Sequence, residues 1–169
     1  MAQTGSSIAV ASWWHDGICL RVYYQAPDLT LREHCLDSSA NVWFDGMCIS
    51  TASQEDFDQY LTSGTGEFTT NKVPPRSSIS AFAWHDSQCH LRVYWQDEQL
   101  NFVGYECEGS WKPSGLVLES LPRDTKSSAV KWRGGHKIRL YYQAANGNIR
   151  EECQNDGAWF SGSTVATIS

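Results

Sequence analysis

The 169-residue chain predicts an all-β protein of the β-propeller class with three four-stranded blades, and three observations carry that prediction. One module recurs three times at intervals of roughly 40 to 50 residues, the period of a propeller blade. Nothing reads as a helix longer than a turn. The Trp 8, Tyr 7 and Phe 6 are many for this length, and they fall at fixed places in the module.

The C-terminal copy shows the module most clearly. Ile138-Arg139-Leu140-Tyr141-Tyr142 is a β-branched and aromatic strand, Ala145 to Asn148 a turn, and Ile149 to Cys153 a second strand, so the two runs form a hairpin. Pairing Arg139 with Glu151, an index sum of 290, also pairs Lys137 with Cys153 and Tyr141 with Ile149. Arg139 and Glu151 then share one face. A turn at Asn155-Asp156-Gly157 leads to a further strand beginning at Trp159.

In the first copy, Leu20 to Gln25, Leu31 to Cys35 and Trp43-Phe44-Asp45-Gly46 answer the same segments, and Arg21 faces Glu33 at the same 12-residue interval. The middle copy departs from the pattern. Leu91 to Gln96 and Cys107 repeat it, but arginine to cysteine is 15 residues here against 14 in the others. Counting back from Cys107 puts Tyr105 at the glutamate position, with Glu106 one place out of register. A bulge or altered loop would be needed to bring Glu106 onto the arginine's face.

Each copy also has an opening strand, Ser7 to Trp13, Ser78 to Trp84 and Ser128 to Trp132, ending at a Trp seven or eight residues before the arginine. Ala9, Ala11, Ala81 and Ala83 suit a crowded position where sheets converge. Tyr23, Trp13 and Trp84 are expected to pack between blades, which leaves the Trp after each later turn as the better binding candidate. The copies make a single domain over 1–169, with blade 1 at about 7–50, blade 2 at about 73–120 and blade 3 at about 121–169. Arg92 to Arg139 is 47 residues but Arg21 to Arg92 is 71, so about 24 residues are inserted within 47–72, either an outer loop or hairpin or a surface insertion without function.

Three blades cannot close a ring that has typically four to eight, and an open one would expose two broad apolar faces. Two copies related by a two-fold axis would make six blades, so a homodimer is expected.

A net charge of −6 argues against nucleic acid or an anionic membrane surface as partner, since both call for basic patches. No apolar run of 18 residues exists to insert in a bilayer. Met1 to Ser7 lacks the basic and apolar regions of a secretory signal, leaving cytosolic, surface-associated and leaderless export all open. Cys35, Cys107 and Cys153 occupy one strand position and read as small buried side chains. Cys19 lies opposite Cys35 by the index sum, and a bridge between them is the alternative. There is no C-x-x-C pair, and the five His show no ligand spacing, so neither metal nor cofactor is expected.

The combination I-R-[VL]-Y-[YW], I-x-E-x-C and G-x-W-[FY]-x-G, preceded by S-x-I-A-x-x-W, resembles the fucose-binding lectins similar to Aleuria aurantia lectin, over nearly the whole chain outside 47–72. In that family a sugar sits between neighbouring blades, held by the arginine and glutamate of one blade and a tryptophan of the next. The resemblance therefore implies that Arg21 and Glu33 bind with Trp111, Arg92 with Trp159, and Arg139 and Glu151 with Trp43 of a partner chain. Fucosylated glycans would be the ligands.

Those residue types suit that ligand. Fucose offers vicinal hydroxyls and a methyl-bearing apolar face; Arg supplies donors, Glu acceptors and Trp a flat apolar surface. Charge-assisted hydrogen bonds of about 1.5 to 3 kcal/mol each would give micromolar affinity per site, raised by several sites on one particle. Read without the recurrence, the same pairs would be cross-strand ion pairs contributing about 0.2 to 1 kcal/mol. A propeller glycoside hydrolase or sialidase would need two carboxylates converging on one bond, or a tyrosine nucleophile with an arginine cluster, where each copy here offers one glutamate. No enzyme is therefore expected. A protein-interaction propeller with decayed sugar sites is the other alternative. The Arg92 site, with Tyr105 in place of glutamate, is expected to be weak, altered or empty.

Overall fold

The computed structural model describes residues 7–14, 17–27, 29–37, 42–45 and 74–167. The 47–72 insertion lies outside them. Among them twelve strands form three four-stranded antiparallel sheets, each a simple meander in chain order. Blade 1 holds β1 (Ile8–Trp14), β2 (Ile18–Gln25), β3 (Leu31–Asp37) and β4 (Val42–Asp45). Blade 2 holds β5 (Ile79–His85), β6 (Cys89–Gln96), β7 (Phe102–Glu108) and β8 (Trp111–Leu118). Blade 3 holds β9 (Ser127–Trp132), β10 (Lys137–Gln143), β11 (Ile149–Asn155) and β12 (Ala158–Ala166). Among the described residues there is no helix.

The hairpin register differs from the sequence expectation by two. Arg139 pairs with Cys153 and Tyr141 with Glu151, an index sum of 292, and in blade 1 Arg21 pairs with Cys35 and Tyr23 with Glu33. The cause is the connecting loop, five residues long in every blade. Ala26 N–H donates to Thr30 O at 2.9 Å, Asp97 N–H to Asn101 O at 2.8 Å and Ala144 N–H to Asn148 O at 2.8 Å. The fourth loop residue is left-handed each time, Leu29, Leu100 and Gly147. Because a shift of two preserves strand parity, Arg and Glu still share a face, but as diagonal neighbours. Cys19 consequently does not oppose Cys35, and no disulfide joins them.

The same loop in blade 2 pairs Arg92 with Glu106 and Val93 with Tyr105. The assignment of Tyr105 to the glutamate position is therefore corrected. Gly104, opposite Tyr94, stands there, and Tyr105 points to the other face, stacked on Trp95 with centroids 5.4 Å apart. Cys107 likewise does not share the position of Cys35 and Cys153; it pairs with Leu91 on the Tyr105 face.

Two cores join the blades. One packs Ala9, Ala11, Tyr23 and Leu31 of blade 1 against Ile79, Ala83, Leu91, Val93 and Trp95 of blade 2. The other packs Tyr94, Phe102 and Leu116 of blade 2 with Leu140 of blade 3. The alanines lie on β1 and β5, where small side chains let the innermost strands approach. At the ends of the array apolar side chains stay uncovered: Ile8, Val10, Trp14 and Ile18 on blade 1, and Val130, Trp132 and Phe160 on blade 3.

Candidate functional site

Arg21 of β2 and Arg139 of β10 sit in clusters of the same construction. Each guanidinium lies over a Trp near the end of its opening strand, Arg21 4.8 Å from Trp13 and Arg139 5.0 Å from Trp132. A phenylalanine of the outer strand flanks it, Phe44 at 5.8 Å and Phe160 at 6.0 Å. Such cation–π contacts contribute about 0.5 to 2 kcal/mol each and, more to the point, fix the plane of the fork. One end of that fork is consumed by the backbone: Arg21 Nη1 donates to Leu20 O at 2.9 Å and Arg139 Nη1 to Ile138 O at 2.8 Å. The opening-strand tryptophans thus do more than pack between blades; they set the arginine's orientation.

The paired glutamates are equally fixed. Arg21 Nε lies 3.9 Å from Glu33 Oε1, and Arg139 Nε 3.6 Å from Glu151 Oε1. Tyr23 donates its hydroxyl to Glu33 at 2.8 Å and Tyr141 donates to Glu151 at 3.0 Å. The thiols of Cys35 and Cys153 donate to the other carboxylate oxygen at 3.4 and 3.3 Å. Burial opposes ionisation of Glu151, but the donations from Cys153 and Tyr141 and the Arg139 charge outweigh it and lower its pKa. Burial and the adjacent Glu33 hold the Tyr23 hydroxyl protonated, its pKa raised well above the usual value. Gly162 of β12 makes room for Glu151, since a Cβ there would collide with its carboxylate.

The Arg92 cluster is built differently. Its guanidinium also lies over a Trp, Trp84 at 4.9 Å, but Gly104 leaves no carboxylate at the position of Glu33 and Glu151. Tyr94 fills that space, its hydroxyl buried without a partner, and a side chain at Gly104 would overlap its ring. Glu106 and Glu108 take the charge instead. Arg92 Nη2 donates to Glu108 Oε1 at 2.6 Å, while Nε lies 3.1 Å from Glu106 without being aimed at it, an ionic contact rather than a hydrogen bond. Lys112 stands where Phe44 and Phe160 stand and reaches both carboxylates, at 3.3 and 3.4 Å. The hydrogen bond from Arg92 holds the Glu108 carboxyl down at about 2. The Arg92 side chain is 6% exposed, against 15% and 17% for Arg21 and Arg139.

The three tryptophans also diverge. Trp111 packs into the core between blades 1 and 2, against the blade 1 face that carries Arg21 and Glu33. Trp159 packs between blades 2 and 3, edge-on to Tyr94 at 5.9 Å, with its indole N–H donated to Ser114 O at 3.1 Å. Trp43 is exposed on the outer face of blade 1, stacked on His34 at 5.3 Å. Sequence reasoning missed Trp132, Phe44, Phe160, Glu108 and Lys112. The repeated Trp-Phe pair, broken by Lys112, was the available signal.

Fold and clusters together define a β-propeller array with an arginine and carboxylate cluster on one face of every blade. Residues 54–165 match the family model for fungal fucose-specific lectins. The chain belongs to that family. It is 31% identical over 155 residues to the fucose-specific lectin of Aleuria aurantia, covering 88% of this chain and 41% of that one. A fucose-specific lectin of Arthrobotrys oligospora is 27% identical over 148 residues, covering 86% of this chain and 36% of the other. The chain thus spans less than half the length of these relatives. Among solved structures, the SapL1 lectin in complex with α-methyl fucoside superposes with a TM-score of 0.77 at 25% identity, over 96% of this chain and 49% of that one. The six-bladed propeller of Aleuria aurantia lectin superposes with a TM-score of 0.55 at 24% identity, over 99% of this chain and 66% of the other.

Proposed function

We propose that this chain is a single lectin domain that binds L-fucose of fucosylated glycans, without catalysis, at two junctions per chain. The observation that carries the reading is the construction of one cluster twice on separate sheets: arginine held over a Trp, and glutamate fixed by a Tyr hydroxyl and a Cys thiol. Such fixed groups cost little ordering on binding, which suits a weak ligand recognised many times over. Arg21 and Glu33 bind with Trp111 of the following blade. Arg139 and Glu151 lie on the exposed face of blade 3 and bind with Trp43 on the exposed outer face of blade 1 of a second copy. Two copies joined in this way bury the apolar ends of both arrays and make six blades.

The Arg92 junction takes no fucose. Its arginine is occupied by Glu106 and Glu108, Lys112 replaces the flanking aromatic, and Trp159 is bonded to the backbone of blade 2. A carboxylate held by a Tyr and a Cys at each binding junction suits recognition; hydrolysis would need a second carboxyl group converging with it on the same glycosidic bond. The SapL1 lectin was solved with α-methyl fucoside, which supports the choice of sugar. Titration with methyl α-L-fucoside is expected to change the tryptophan fluorescence with micromolar affinity, while galactose and mannose leave it unchanged. Equal responses to all three would refute the assignment.

A further inference from the structure

One rung beyond the stacking tryptophan, each blade presents an equivalent pair of residues to the preceding blade. They are His34 with Asp45, Tyr105 with Pro113, and Glu152 with Ser161. The chemistry differs at each junction. His34 Nδ1 lies 3.0 Å from the Asp45 carboxylate, and Ser161 donates to Glu152 at 3.0 Å, so both of those rungs are polar. The blade 2 rung is apolar, with Tyr105 stacked on Trp95 and Pro113 carrying no N–H.

At that apolar rung a cavity of about 220 Å³ opens between blades 1 and 2, walled by Leu31, Trp95, Tyr105, Pro113 and Val117 and by Asp97, whose carboxylate is already engaged by the backbone and side-chain N–H of Asn101. Leu31 is two residues from Glu33 on one strand face and Pro113 is two from Trp111 on another, so the cavity begins about 7 Å from the groups assigned to fucose. Gly115, at φ 75°, has nothing within 4 Å of where a Cβ would stand, which keeps the wall open. Val117, 58% exposed, marks the mouth. A concave, mainly apolar space of this size accepts one six-membered ring.

We propose that the cavity is a secondary subsite of the Arg21 junction, receiving a flat apolar group joined to the anomeric oxygen of fucose. It rests on the reading of that junction as a fucose site. The Arg139 junction, whose corresponding rung is His34 and Asp45, does not share it. The two junctions therefore prefer different α-fucosides.

The test is calorimetry on the assembled Glu151→Ala protein, in which only the Arg21 junction binds, with methyl and 4-nitrophenyl α-L-fucoside as probes. The aryl fucoside is expected to bind about tenfold tighter, the effect of burying one ring. Val117→Trp, which fills the mouth, should cancel that gain and leave the methyl fucoside affinity unchanged. Equal affinities for both probes, or an aryl gain that survives Val117→Trp, would overturn the subsite while leaving the fucose reading intact. Failure of both probes to bind would overturn the fucose reading and the subsite with it.

Discussion

Glu33→Ala is expected to abolish fucoside binding at the blade 1–2 junction and to lower folding stability by about 1 to 3 kcal/mol, because the variant removes the carboxylate that accepts from a buried hydroxyl. Glu33 is a buried carboxylate that receives the Tyr23 hydroxyl and the Cys35 thiol. Without it the fully buried Tyr23 loses that hydrogen bond. Glu151 occupies the same place on an uncovered blade, with its side chain 19% exposed, so Glu151→Ala should abolish its own site at a smaller cost in stability. The cost at Glu33 exceeds the roughly 0.2 to 1 kcal/mol of an exposed cross-strand ion pair, and burial is the reason. Calorimetry and thermal unfolding of the two variants check this. Unchanged fucoside stoichiometry in the double variant would remove both glutamates from the site.

Val10→Asp is expected to divide the assembly and eliminate one of the two sites per chain. Val10 sits on β1 and is 54% exposed on the outer face of blade 1, beside Ile8 and Trp14. In the proposed six-blade ring this face would meet blade 3 of the second copy, around Val130 and Trp132. A carboxylate buried there without a partner costs several kcal/mol of association, yet in the isolated chain it remains in water. Light scattering should therefore give a particle of about twice the 19.0 kDa chain mass for the native protein and of one chain mass for the variant. The Arg139 site, deprived of Trp43, should disappear, while the Arg21 site, contained within one chain, persists. A native protein that is a stable monomer would contradict the six-blade assembly.

The strands and their grouping into blades were legible because period-2 patterns and turn residues recur three times, and recurrence averages out local ambiguity. Register was less so. The five-residue loops depend on left-handed backbone at Leu29 and Leu100, which no leucine advertises. The face shared by Arg and Glu survived that error only because the slip was even. In the middle blade the slip was odd when counted from Cys107, and it put Tyr105 where Gly104 stands. The expectation of a changed Arg92 site was reached from the wrong residue. A closer reading of the repeat held the clue: Gly162, which accommodates Glu151, is answered by Ser114 in the middle copy, and Phe44 and Phe160 by Lys112.

The central claim is that binding competence belongs to two junctions per chain, one within the chain and one completed by a second copy. Counting bound methyl α-L-fucoside in the native assembly tests it most directly, by calorimetry with the tryptophan indole resonances followed in parallel. The account predicts two fucosides per chain, with the signals of Trp111 and Trp43 shifted and that of Trp159 unmoved. Three equivalent fucosides per chain, with Trp159 shifting alongside the others, would contradict it.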